Sequence, residues 1–265
     1  MTEIERNLVE YGCQDHIATI TLNRPEKLNA FSDDMVAALA GALRRFDIDN
    51  DAFVAIIQGA GRAFSSGADV RQRQLRRREE FEQHGGPQGW GTHAGDLLTR
   101  AVNWKPVIAA AHGYVMGLAL GIVLECDLIV AAAGTQFQVT ETPRGLGGAK
   151  YWGLLDFRGA AAFGTEMALT GRFFTAEEAL ANRVINRVAP EGQHLQVAVE
   201  LAQAVARNPP LSVRATIRSR RWYMEQLERE VAMQTAPLKL YLTEDFGEAA
   251  RAFVEKRKPG PFKGR

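Results

Sequence analysis

Cysteine is scarce in this 265-residue chain: Cys13 and Cys126 are its whole complement, and they stand far apart. Two distant thiols exclude a disulfide framework and fit a reducing cytoplasm, and neither has neighbours that suggest a metal cluster, so both are expected to serve packing. An excess of charge is lacking as well. Lys and Arg number 32 against 31 Asp and Glu, a net charge of +1, so no overall field draws the chain to nucleic acid or a membrane surface. No apolar run approaches the roughly 20 residues of a membrane-spanning helix. The opening MTEIERNLVEYG has acids where a signal peptide has its apolar stretch. Neither G-x-G-x-x-G nor G-x-x-x-x-G-K-S/T occurs, which removes the fingerprints of dinucleotide and P-loop sites. The absence of G-x-S-x-G weakens a serine-hydrolase reading.

What is present is an ordinary soluble composition, 46% hydrophobic and 24% charged, with enough length for a full core. LVEY and HIATITL alternate apolar and polar residues on either side of GCQD and read as a hairpin. NRPEKLNAFSDD follows as a loop, and Ser32 or Asp33 is placed to cap the amphipathic helix MVAALAGALRRF. AFVAIIQGAG, VIAAAHGYV and DLIVAA read as short buried strands, with GLALGIVLEC between the last two. Strands alternating with helices predict an α/β core with parallel pairing. From about Phe157 the pattern turns helical: Thr175 with Glu178 forms a capping-box pattern, and NPP starts a helix. The expected organisation is an α/β core over 1–195 and a C-terminal helical region over 196–265.

Two glycine-bearing junctions attract chemistry. GRAFSSGADV follows the strand AFVAIIQGAG, and GYVMGLALG follows VIAAAH. Each leaves backbone N–H groups free at a helix start, where the helix dipole supplies about half a positive charge. Two such donors converging on one point make an oxyanion hole. On spacing alone the better reading of these glycines is that they only allow tight turns and close packing.

TLNRPEKLNAFS, GAGRAFSSGADV, KPVIAAAHGYVMG, CDLIVAAAGTQF, LTGRFFTAEEALANRVINRVAP, NPPLSVRA and AFVEKRKPGPFKGR occur in that order over nearly the whole chain. Together they resemble the crotonase family, the enoyl-CoA hydratase/isomerase superfamily. The resemblance implies a spiral of ββα units with C-terminal helices that build homotrimers, often paired into hexamers. It implies acyl thioesters of coenzyme A as substrates, as in fatty acid metabolism, and no bound metal or redox cofactor. By position in the family motifs the oxyanion donors are the N–H groups of Ala68 and Leu118. The second is usually a glycine, so Leu118 is a departure, and its side chain is expected to trim the pocket or push the acyl chain aside. The coenzyme A positions are Lys27, Ala30, Ser66, Ala68, Phe253 and Lys256.

A typical hydratase of the family carries two glutamates. The second falls here on Glu141, while the place of the first is taken by Gly121. Glu125 lies one turn further along the same helix, about 5–6 Å away, too far to be taken as a replacement. One well-placed carboxylate suits a double-bond isomerase, and it suits hydration if another group holds the water. Tyr151 and Asp156 are candidate extra acids. Trp90 and His93 are candidates for the acyl pocket, and His112 reads as a satisfied core histidine. Arg71, Arg73, Arg76, Arg77 and Arg78 either steer phosphates or form a solvated face paired with Glu79, Glu80 and Glu82. The expected function is processing of an acyl-CoA thioester through an enolate. The alternatives are decarboxylation or hydrolysis of a thioester on the same hole, or a silent acyl-CoA binder.

Overall fold

The computed structural model describes residues 7–87, 98 and 101–265. Val9–Gln14 (β1) and Ile17–Leu22 (β2) form the expected antiparallel hairpin, but Gly12, Cys13 and Gln14 belong to β1 rather than to a gap. The reversal is confined to Asp15 and His16, with φ of 50° and 64°. Positive φ at both central residues gives a turn whose twist matches that of the paired strands. Cys13 is exposed on this edge strand, so it does not serve packing; Cys126 is buried.

Val54–Gly59 (β3), Val107–Ala111 (β4), Leu128–Ala132 (β6) and Arg187–Ala189 (β9) extend the sheet in parallel, in the order β1-β2-β3-β4-β6-β9. Its central strands are covered on both faces, which is why they read as unbroken apolar runs. Val54, Ile56, Ile108, Ala110 and Val130 meet Ala198 and Ala202 of helix His194–Ala206 on one face. Ala55, Ile57, Ala109, Ala111, Ile129 and Ala131 face the larger core on the other. The boundary expected between 195 and 196 thus falls inside a helix that seals the main sheet.

VIAAAHGYV divides at His112–Gly113. Its first half is β4; its second is Tyr114–Met116 (β5), which joins Gln136–Gln138 (β7) and Phe173–Thr175 (β8) in a separate three-stranded sheet. Strand, second strand, helix is the repeating unit that carries the chain forward, and the junction after β5 starts helix Leu118–Glu125. All eight residues of that helix are buried; the first seven are apolar, as a helix enclosed on all sides requires, and the eighth is the ion-paired Glu125. Ser32 caps helix Asp33–Ile48, its Oγ accepting from Met35 N–H at 3.2 Å. The Thr175–Glu178 capping box is present in both directions. Pro210 occupies the first turn of the 26-residue helix Pro210–Thr235, and 3₁₀ turns at Ala236–Leu238 and Leu240–Leu242 lead into helix Glu244–Val254.

Candidate active site

The segment after β3 runs alongside β5. Ser65 N–H donates to Tyr114 O at 3.0 Å and Met116 N–H to Ser65 O at 3.2 Å. On its other side Phe31 N–H donates to Gly67 O and Asp69 N–H donates to Phe31 O, at 2.8 and 2.9 Å. Phe31 therefore bonds the residues flanking Ala68, and the polar groups of Ala68 turn the other way. Among the described residues neither the Ala68 N–H nor the Leu118 N–H donates to a protein acceptor. Gly67 has φ of 88°, and a Cβ there would lie 2.5 Å from Met116 O and 3.7 Å from Leu118 N. The close approach that demands glycine brings the segment leading into Ala68 against the start of helix Leu118–Glu125. The Leu118 side chain is 6% exposed within the main core.

The loop bearing Lys27 and Ala30 is moulded onto this segment. Leu28 and Asn29 are left-handed, with φ of 50° and 53°. The fully buried Asn29 amide donates to Ala60 O, Ala63 O and Phe64 O, while its Oδ1 accepts from Arg24 N–H. Ser66 N–H donates to Leu28 O at 2.9 Å, and Ser66 Oγ lies 3.5 Å from Lys27 O. Lys27, Ala30, Ser66 and Ala68 are thus brought together. Asn29, which holds them there, was not among the expected residues; its signal was an Asn in a loop, able to adopt the left-handed region.

Phe253 and Lys256 stand at the end of helix Glu244–Val254. The Phe253 ring lies beneath the Arg144 guanidinium, 3.6 Å from its centroid, and Gly145 abuts the Phe246 backbone. The C-terminal helix accordingly packs against the turn Thr142–Arg144 of its own chain. Arg144 is the link, and sequence reasoning missed it because nothing local marks an arginine that pairs with a ring more than a hundred positions away.

Glu141 begins that turn. Its Oε1 accepts from Tyr151 Oη at 2.5 Å, and its Oε2 lies 3.4 Å from Thr140 Oγ1. Burial pushes its carboxyl up to about 6; the bonds from Tyr151, its own backbone and Thr140, and then the charge of Arg144, oppose that rise. Gly117, with φ of 48°, presses against this group: a Cβ there would lie 2.2 Å from Thr140 Oγ1 and 3.0 Å from Glu141 Oε1. The carboxylate therefore sits beside the residue that precedes the free Leu118 amide. At Gly121 a Cβ would meet the Tyr151 ring at 3.5 Å and its hydroxyl at 3.7 Å. The place where an acid is lacking faces a phenol.

The other candidates separate cleanly. Glu125 is buried one turn beyond Gly121, and its Oε1 pairs with Lys150 Nζ at 2.8 Å while Oε2 accepts from Leu98 N–H. Asp156 is exposed, on the same helix as Tyr151. Trp90 and His93 lie outside the described residues. His112 donates from Nε2 to Gly61 O at 2.9 Å and stacks on His194, but its buried Nδ1 has no partner among the described residues. It is half satisfied rather than a fully bonded core histidine. Arg73 is buried on Pro87 O and Asp33, Arg76 also reaches Asp33, and Arg77 and Arg78 pair with Glu80 and Glu82. No group of three or more His, Cys, Asp or Glu side chains among the described residues is arranged to hold a metal ion.

The fold is an α/β spiral, and its candidate site holds two amides without protein acceptors among the described residues, near the half-buried Glu141 carboxylate. The enoyl-CoA hydratase/isomerase family model matches residues 12–265, and the chain belongs to that family. It is 35% identical to the mevalonyl-coenzyme A hydratase sidH of Aspergillus fumigatus, over 92% of this chain and 90% of that one. It is 32% identical to the enoyl-CoA hydratase EchA19 of Mycobacterium tuberculosis, over 92% of each. Among solved structures, a carnitinyl-CoA hydratase from Mycobacterium avium superposes with a TM-score of 0.80 at 28% identity, covering 98% of this chain and 100% of that one. The chain is thus a crotonase-type enzyme acting on coenzyme A thioesters.

Proposed function

We propose that this enzyme adds water across the α,β-double bond of an enoyl-CoA thioester. Ala68 and Leu118 N–H groups receive the thioester oxygen as it gains negative charge, and Glu141 moves the proton to and from the α-carbon. A preorganised amide pair stabilises the enolate without reorienting when charge develops, and a carboxyl poised near neutrality suits proton transfer in both directions. Lys27, Ala30, Ser66, Ala68, Phe253 and Lys256 hold the coenzyme A portion, in a cytoplasmic homotrimer or a hexamer of paired trimers. The observation that carries this reading is the half-buried Glu141 carboxylate lying against Gly117, one residue before a backbone donor without a protein acceptor among the described residues.

Incubation with a short trans-2-enoyl-CoA tests it. Hydration raises the product mass by one water and bleaches the conjugated thioester absorbance. Glu141→Gln lowers turnover by about 10²–10⁴-fold while coenzyme A ester binding stays within a few-fold. Gly121 in place of an acid favours a second reading, a double-bond shift by Glu141 alone, which leaves the mass unchanged. A wild-type enzyme that yields only the shifted isomer replaces the first reading with the second.

A further inference from the structure

We infer that Tyr151 is the second acid–base residue of this site, a phenol that relays a proton between Glu141 and the water added on the face that Gly121 leaves bare. The inference rests on the hydration reading above and supplies what that reading lacks: a group to hold and deprotonate the water.

Three observations place the phenol there. Its hydroxyl donates to Glu141 Oε1 at 2.5 Å, so its one proton is committed to the carboxylate and its oxygen is left as an acceptor. The same hydroxyl would lie 3.7 Å from a Cβ at position 121, on the inner helix that starts at the Leu118 amide. The residue before it, Lys150, bonds both Glu125 at 2.8 Å and Glu228 at 3.1 Å, which clamps the first turn of helix Ala149–Phe157 to its neighbours and fixes where the phenol stands. Burial, with the nearby Glu141 and Glu125 charges, holds the phenol well above its ordinary value. It therefore enters the reaction protonated, able to give a proton only as it takes one.

The step balances with these groups alone. Water oxygen bonds the β-carbon and loses a proton to Tyr151 Oη; the phenol proton passes to Glu141; the electron pair of the double bond moves to the thioester oxygen. The enolate then collapses, the α-carbon takes the proton from Glu141, and phenol and carboxylate return to their starting states. The net change is one water added.

The test compares hydration of an enoyl-CoA with exchange of the α-hydrogen of a saturated acyl-CoA in deuterium oxide, since exchange needs Glu141 and the amides but no added water. Tyr151→Phe keeps the ring over Gly121 and removes the relay. Its hydration kcat falls about 10²-fold or more, KM stays within about 3-fold, exchange stays within about 10-fold of wild type, and the acid limb of kcat moves to higher pH because Glu141 loses a stabilising bond. Replacing Tyr151 by 3-fluorotyrosine preserves packing if the phenylalanine variant misfolds, and shifts hydration kcat without shifting exchange. Hydration by Tyr151→Phe at the wild-type rate, or equal loss of hydration and exchange, overturns the relay and leaves the parent reading standing. A wild type with neither activity, or a Glu141→Gln variant with both intact, overturns the parent reading itself.

Discussion

The Arg144 guanidinium lies 3.6 Å from the centroid of the Phe253 ring, tying the last helix of the chain to the turn that starts at Glu141. Burial lowers Arg144 to about 10, and the Glu141 charge opposes this. One cation thus lies over an aromatic ring and feels the charge of the candidate catalytic carboxylate.

Removing that ring loosens the C-terminal helix and the turn together. Phe253→Ala costs about 0.5–1 kcal/mol for the cation–π contact at this exposed ring, lowering Tm by roughly 1–4 °C on calorimetry. On the proposed function, the Michaelis constant for the thioester rises several-fold while kcat changes less, because the ring would contact coenzyme A rather than the reacting carbons.

The titration of Glu141 carries a sign that two measurements check. Burial raises its carboxyl from an ordinary 4.5 to about 6, so between these values the folded state binds more protons than the unfolded one. Stability therefore falls as pH rises from 4.5 to 6 and is constant above. Glu141→Gln removes this penalty: relative to wild type its Tm is higher at pH 8, and the difference closes by pH 4.5. For activity the charged form is required first, so wild-type kcat declines below about pH 6.

The role of the Leu118 amide separates from that of its side chain. Leu118→Ala keeps the donor and retains most turnover. Leu118→Pro deletes the donor at the first helical position, where proline is tolerated, and lowers kcat by about 10²–10³-fold. Circular dichroism matching wild type confirms that the helix persists. Equal activity of the two variants assigns the amide no part in catalysis.

The Glu125–Lys150 pair is a structural prediction. Glu125 is wholly buried and Lys150 about one-quarter exposed, at 23%. Lys150→Met removes the cation paired with a buried carboxylate and costs about 3–5 kcal/mol, a fall in Tm of roughly 6–20 °C. A variant that melts with the wild type shows that Glu125 keeps adequate partners without the lysine.

Much of the architecture was legible locally. The Ser32 cap, the Thr175–Glu178 capping box and the proline at the start of the long helix depend on residues within one turn of each other, and they form as their chemistry requires. The hairpin was legible too, but its turn was misplaced: GCQD looks like a reversal, yet the left-handed pair is Asp15–His16. The run VIAAAHGYV reads as one strand because periodicity is blind to a change of sheet, which here occurs at His112–Gly113.

Gly67 and Gly117, as motif residues, marked two strand-to-helix junctions and, with the family phrases, the position of Glu141. Composition excluded disulfide and nucleotide-fingerprint chemistry, and the missing acid at Gly121 was visible by counting. Tertiary structure decided the rest: that Gly67 meets Met116, that Arg144 seats on Phe253, that Glu125 is consumed by Lys150, and that Tyr151 stands over Gly121. Sequence spacing determines which side chains share a helix face or a strand face, because that geometry repeats within a few residues. Contacts between separate elements depend on how those faces dock, and no local pattern records the docking.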